Sequence, residues 1–214
     1  MRAMLAMFAA VVLIGALVYL LWGSEGYGSR RFSYQVVVNV DGKELAGASV
    51  WEQTTEQPWG PQSISMRRSA ARGEAIAIPV SSTQAVLVLK RHQSPGGYAG
   101  YGALLDNCGV YSPREVREYR GGCDLPLGIP FVVLVSGDLH GKVLPRFELV
   151  RQTAGARVSL VSARIEATDA PITIGLADTY PWIATLPATA MDLPAKGHAK
   201  TGAGLLFGVD FVSH

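Results

Sequence analysis

Residues Met4 to Trp22 (MLAMFAAVVLIGALVYLLW) pass without a single charge, and this stretch decides which solvent the rest of the chain folds in. As a helix rising about 1.5 Å per residue it spans close to 30 Å, the thickness of a bilayer's hydrocarbon core. Residues 1–22 therefore read as one N-terminal transmembrane helix, an anchor. A helix buried inside a soluble domain normally carries a polar face, and this run has none. A secretory signal has a shorter apolar core, about 7–15 residues, ending in a small-x-small cleavage site. The boundary Leu20-Leu21-Trp22-Gly23 offers no such site, so the reading is a retained anchor. Tyr19 and Trp22 stand at its distal end, where amphipathic rings favour the headgroup interface.

Charge sets the orientation only weakly, because Arg2 on one side faces Arg30 and Arg31 on the other. Arg2 is the nearer flank, which puts the N-terminus in the cytoplasm and the remaining chain outside. Roughly 190 residues follow the anchor, enough for one domain with its own core. With 49% hydrophobic and 17% charged residues, the chain is globular rather than disordered. Its net charge of +2 comes with no basic stripe, and that excludes nucleic acid as a partner.

After the anchor, residues 23–31 (GSEGYGSRR) read as a flexible tether rich in Gly and Ser. The period then changes to two. Phe32, Tyr34, Val36, Val38 and Val40 share one face of a strand, and Asp41-Gly42 turns the chain into a partner strand over 47–55. Residues 57–71, holding Pro58 and Pro61, read as a loop. Strands follow at 74–80, where Pro79 argues for an edge, and at 84–90, which is apolar on both faces and so central. Further strands are expected at 129–136, 146–153, 157–167, 172–176 and 205–212. An irregular wrap is expected over 178–194, which contains Pro181, Pro187 and Pro194. The class is all-β: an antiparallel sandwich or barrel-like domain over 32–214.

One long connection, residues 91–127, shows no strand pattern. It is well beyond the usual 4 to 6 residues of a connection, so something else must hold it. Both cysteines, Cys108 and Cys123, lie inside it. Their spacing fits neither a zinc site nor a redox CxxC, and a structural disulfide in an oxidising compartment is expected. Between them, Ser112 followed by Pro113 and then Glu115 is a capping box that predicts a short helix ended by Gly121-Gly122. Tyr98, Tyr101, Tyr111 and Tyr119 are half of the chain's 8 tyrosines and concentrate in this loop. Tyr with Ser and Gly is the mixture binding loops use, so the four are a candidate interaction surface. The alternative is a loop folded over its own sheet with tyrosines capping the core.

No nucleophile elbow, P-loop, dinucleotide fingerprint or metal-ligand spacing occurs, and no cofactor is implied. The nearest polar constellation is Ser136-Gly137-Asp138-Leu139-His140-Gly141. Asp138 and His140 could pair as acid and base, but a solvated turn explains the same residues. Glu74, Glu148 and Glu166 alternate with apolar residues and read as outward positions of strands.

The segments Gly47-Ala48-Ser49-Val50-Trp51-Glu52 and Arg72-Gly73-Glu74-Ala75-Ile76 resemble a group of small single-anchor hypothetical membrane proteins of Gram-negative bacteria. That resemblance implies an inner-membrane anchor, a periplasmic domain and no known activity. Together these expectations describe a membrane-anchored extracytoplasmic binding or accessory module. It would touch the bilayer through residues 4–22 and a protein partner in the membrane or envelope. An envelope hydrolase using Asp138 and His140, or a purely structural subunit, is the alternative.

Overall fold

A computed structural model of the chain describes residues 11–15, 17, 26–57, 68–94, 97–99, 104–150 and 156–186. Strands dominate: β1 (Tyr27–Val40), β2 (Lys43–Glu56), β3 (Arg68–Arg72), β4 (Ile76–Ser81), β5 (Gln84–Ser94), β6 (Gly97–Ala99), β7 (Gly122–Asp124), β8 (Pro130–Ser136), β9 (Arg146–Leu149) and β10 (Val158–Ala167). Two short helices, α1 (Pro113–Glu118) and α2 (Leu176–Thr179), stand with 3-10 turns at Leu104–Cys108 and Pro181–Thr185. Among the described residues the strands form two antiparallel five-stranded sheets. One runs β3-β2-β1-β10-β7; the other runs β4-β5-β8-β9, with β6 beside β5.

Strands β1 and β2, 14 residues each, are the longest described strands and pair as a hairpin. Asp41 and Gly42 both take positive φ, 52° and 86°, the geometry a two-residue type I′ turn requires. Asn39 Oδ1 steadies the turn by accepting from the Gly42 N–H at 2.9 Å. Pairing then continues from Val40↔Lys43 to Tyr27↔Glu56 without a break. The expected tether is therefore shorter than its composition implied, because Tyr27 to Arg31 are strand. Their Gly and Ser content does not prevent pairing when β2 offers a matching ladder of backbone groups.

On the inner face of β1, Phe32, Tyr34, Val36, Val38 and Val40 are buried. Strand β10 meets them with two apolar sets that are out of phase by one residue, Val158 and Leu160 against Ala163 and Ile165. A bulge reconciles them: Val38 pairs with Leu160 and Val37 with Ser162, leaving Val161 as the extra, exposed residue. The opposing sheet contributes Ile76, Ile78, Val86, Val88, Val132 and Leu134 to the same core, so the two sheets are the layers of a sandwich.

A second core explains the strands that are apolar on both faces. Ala85, Leu87 and Leu89 of β5 and Phe131, Val133 and Val135 of β8 point away from the sandwich. They are covered by Leu176, Tyr180, Trp182 and Ile183, with Trp182 wholly buried and edge-on to Phe147 at 5.2 Å. Residues 176–186 thus form a third layer. The strand expected at 172–176 is absent, and the wrap expected to avoid helix begins with α2 and a 3-10 turn. Pro181 opens that turn, where its missing N–H is no loss.

Three other expectations change. Residues 68–71, at the end of the stretch read as loop, belong with Arg72 to the polar edge strand β3 against β2. Residues 91–127 contain the end of β5 together with β6 and β7, which are too short for their alternation to register in the sequence. Strand β9 ends at Leu149 rather than residue 153. Pro79 does lie on an edge strand, β4. The closing strand expected at 205–212 falls outside the described residues.

Of the apolar N-terminal run, residues 11–15 and 17 are described and are helical. Among the described residues no helix is long and apolar enough to cross a membrane. The other positions of the run, including Tyr19 and Trp22, fall outside the described residues.

Candidate functional site

The cysteine loop is built into the sandwich rather than hung from it. The 3-10 turn Leu104–Cys108 buries Leu104 and Leu105 in the inter-sheet core, and Val110 and Val116 join them. Cys108 ends that turn and Cys123 lies on β7, opposite Ile165 of β10. The two are bridged with Cα atoms 5.6 Å apart, and no free cysteine exists among the described residues. The bridge therefore ties the turn to the sheet edge, and the ring between the cysteines has both ends fixed.

Inside the ring the capping box forms as its spacing predicts. Ser112 Oγ accepts from the Glu115 N–H at 3.1 Å. Glu115 Oε2 accepts in return from the N–H groups of Ser112 and Tyr111, at 2.8 and 2.7 Å. These two backbone donors hold the Glu115 carboxyl below the usual carboxylate range. Pro113 occupies the first helical position, and Val116 turns the helix onto the core.

The helix lands on the start of β1. A Cβ on Gly28 would run into the Pro113 carbonyl, its carbon lying 2.6 Å away, so only glycine admits α1 this closely. Arg117 Nη1 donates to the Tyr27 carbonyl oxygen at 3.1 Å. The glycine read as tether is the seat of the helix.

The four candidate tyrosines separate. Tyr119 is half-buried, its ring 6.0 Å from that of Phe32, and so caps the core. Tyr111 is exposed at the N-terminal side of α1. Tyr98 lies on β6, beside β5 in the sheet that does not hold the ring's edge strand β7, and Tyr101 falls outside the described residues.

Asp138 and His140 do not face each other as acid and base. Asp138 Oδ1 accepts from the N–H groups of His140 and Gly141, at 3.2 and 3.0 Å, an Asx turn. The His140 Nδ1–H donates to the Thr179 carbonyl oxygen at 3.1 Å, and its ring stacks on Tyr180 at 6.1 Å. Asp138 closes the turn after β8 on itself, and His140 fastens that turn to the covering layer. Among the described residues no group of three or more His, Cys, Asp or Glu side chains is arranged to hold a metal.

The polar cluster that sequence reasoning missed centres on Glu74. Read as an outward strand residue, it is instead 8% exposed. Its carbonyl oxygen accepts from Ser49 Oγ at 2.7 Å and from the Trp51 indole N–H at 2.6 Å. Its carboxyl Oε2 accepts from the Leu176 N–H, also at 2.7 Å, where α2 begins. Gly73 makes this turn with φ 139°, and a Cβ there would meet Trp51 Cδ1 at 2.6 Å. Thr173 completes the junction, since its N–H donates to the Val50 carbonyl while its Oγ1 accepts from the Val50 N–H. The segments 47–52 and 72–76, which carry the resemblance noted in the sequence, meet here with residues 173–176. Their chemistry is that of a clamp joining the covering layer to the sandwich.

Beneath the cysteine loop, Phe32, Tyr34, Trp51, Gln53, Ala71, Leu104, Leu105 and Ile165 line a small open crevice of about 10 Å³. Tyr34 packs edge-on to Trp51 at 4.9 Å, and its hydroxyl has no hydrogen-bond partner among the described residues. Burial pushes its ionisation far above the ordinary range. Comparison with known protein families, with curated proteins and with solved structures gave no match.

Proposed function

We propose that the chain is a single-pass protein of a bacterial inner membrane, with a cytoplasmic N-terminus and a periplasmic β domain. The domain acts there as a binding or accessory module, a subunit of a membrane or envelope assembly. The observation that carries this reading is the bridged Cys108–Cys123 pair, since such bonds persist in oxidising compartments and an inserted anchor delivers the domain to one. The uncharged run Met4 to Trp22 supports it. So do the side chains of its described part, which range from 54% exposed at Val12 to 70% at Leu13 and are not covered by the sandwich. The resemblance to small single-anchor hypothetical membrane proteins of Gram-negative bacteria agrees with both.

Three measurements on the full chain in its native membranes test the proposal. Alkaline carbonate should leave the protein in the membrane pellet, and thiol alkylation without reduction should label neither cysteine. Native-gel migration in mild detergent should show a stoichiometric complex. Release by carbonate, or free thiols in protein taken from cells, would overturn the location. Migration as a lone chain would overturn the role of subunit.

A further inference from the structure

The bridged loop sits at one particular end of a long sandwich, and the chain fixes which end that is. Four residues, 23–26, separate Trp22 from Tyr27, where β1 begins. Fully extended, they let Tyr27 stand no more than about 18 Å from the end of the apolar run. Strand β1 has 14 residues and at about 3.4 Å each carries its far end more than 40 Å away. The Tyr27 end is therefore the one held close to a membrane containing residues 4–22, and the Asp41-Gly42 turn is the end able to stand away from it.

What that near end displays is the helix of the cysteine ring. Arg117 contacts the Tyr27 carbonyl and Pro113 abuts Gly28, so α1 is fastened beside the exit point of the tether. Exposed there are Arg114, Arg117 and Arg120 against Glu115 and Glu118. Glu115 directs its carboxyl to backbone N–H groups, and Glu118 holds Arg114 at 3.1 Å. Tyr27 and Tyr111, 51% and 57% exposed, flank the arginines. Arginine with exposed tyrosine is the composition that suits an anionic headgroup layer: guanidinium groups for phosphate, amphipathic rings for the boundary.

We infer that the end of the sandwich carrying Tyr27, Tyr111, Arg114, Arg117 and Arg120 rests on anionic phospholipid headgroups. The disulfide-closed ring is then the domain's lipid-facing foot. This rests on the anchor reading and adds to it an orientation, because a tether alone would leave the domain free to tumble. Both ends of the ring are fixed to sheet β3-β2-β1-β10-β7, so docking the ring orients the whole sandwich.

The test uses the full chain in lipid nanodiscs doped with a gadolinium-chelating headgroup lipid, read by amide NMR. In discs rich in phosphatidylglycerol, the amides of 27–28, 111–112 and 114–120 should broaden and those of Asp41 and Gly42 should not. In phosphatidylcholine discs the broadening should fall, and Arg114→Gln should lower the docked fraction roughly fivefold in the anionic discs. Incorporation into discs without selective broadening of 111–112 and 114–120 overturns the docked foot and leaves the anchor standing. Equal broadening in the two lipids overturns the electrostatic contact. Failure of the chain to enter discs at all overturns the anchor and the foot together.

Discussion

Replacing Glu74 by Ala isolates the clamp between the covering layer and the sandwich. The Ser49 and Trp51 bonds go to the Glu74 backbone oxygen, so they survive the substitution. Only the bond from the Leu176 N–H to Oε2 is removed, and the donor left behind is buried at the first turn of α2. A buried donor stripped of its acceptor costs about 1–3 kcal/mol. Taking roughly 2 kcal/mol, a domain of this size should melt about 4–8 °C lower. The loss should also be local. If residues 176–183 open more readily, their amides should exchange about 30-fold faster, the population change that 2 kcal/mol implies. Amides of the β1–β2 ladder should keep their protection. Glu74→Gln is the control, because an amide oxygen can still accept from Leu176 and the shape is kept; it should cost less than about 1 kcal/mol. Thermal melts followed by near-ultraviolet circular dichroism, with hydrogen exchange read by mass spectrometry, measure both effects. The reasoning is refuted if Glu74→Ala leaves exchange of 176–183 unchanged, or if Glu74→Gln is as damaging as Glu74→Ala.

Replacing Cys108 and Cys123 together by Ser should cost on the order of 3 kcal/mol in the chain-entropy model for a separation of 15 residues. Denaturant melts should show it, and an unchanged midpoint would mean that Leu104, Leu105 and Val116 hold the ring unaided. Tyr34→Phe removes a buried hydroxyl that has no partner among the described residues and should be neutral or stabilising by up to about 1 kcal/mol. The same variant should alter the alkaline limb of stability. With its folded pKa raised by burial above the unfolded value near 10, Tyr34 contributes stability that is complete below pH ~10. That contribution is lost as pH rises towards the folded pKa. Melts from pH 8 to 11.5 should fall less steeply in Tyr34→Phe than in the parent, and identical slopes would contradict the assignment. Tyr180, also raised by burial, should leave a residual slope in both proteins.

The features legible in the sequence are those whose cause is local. Alternation over Phe32 to Val40 gives the buried face because side chains on a strand alternate whatever the neighbours are. Asp41-Gly42 gives the turn because few residue pairs tolerate two positive φ angles in succession. The helix over 113–118 is written in Ser112, Pro113 and Glu115, since a capping box satisfies its own backbone groups within four residues. The cysteine pairing followed from there being two of them in one loop.

Tertiary structure alone decided everything that depends on a distant partner. Residues 27–31 look like a flexible linker until β2 supplies the matching ladder. Gly28 reads as tether until Pro113, far along the chain, comes to rest on it. Strands β5 and β8 announce two buried faces, yet only the packed chain shows that residues 176–186 cover the second. Glu74 shows the limit most plainly. Its place among alternating apolar residues signals an outward side chain, because in a strand a carboxyl is normally left to water. What turns it inward is an unpaired backbone N–H at Leu176, a hundred residues away in sequence and 2.7 Å away in space. Period and composition record what a residue does for its own element; they carry no record of an orphaned donor that another segment brings to it.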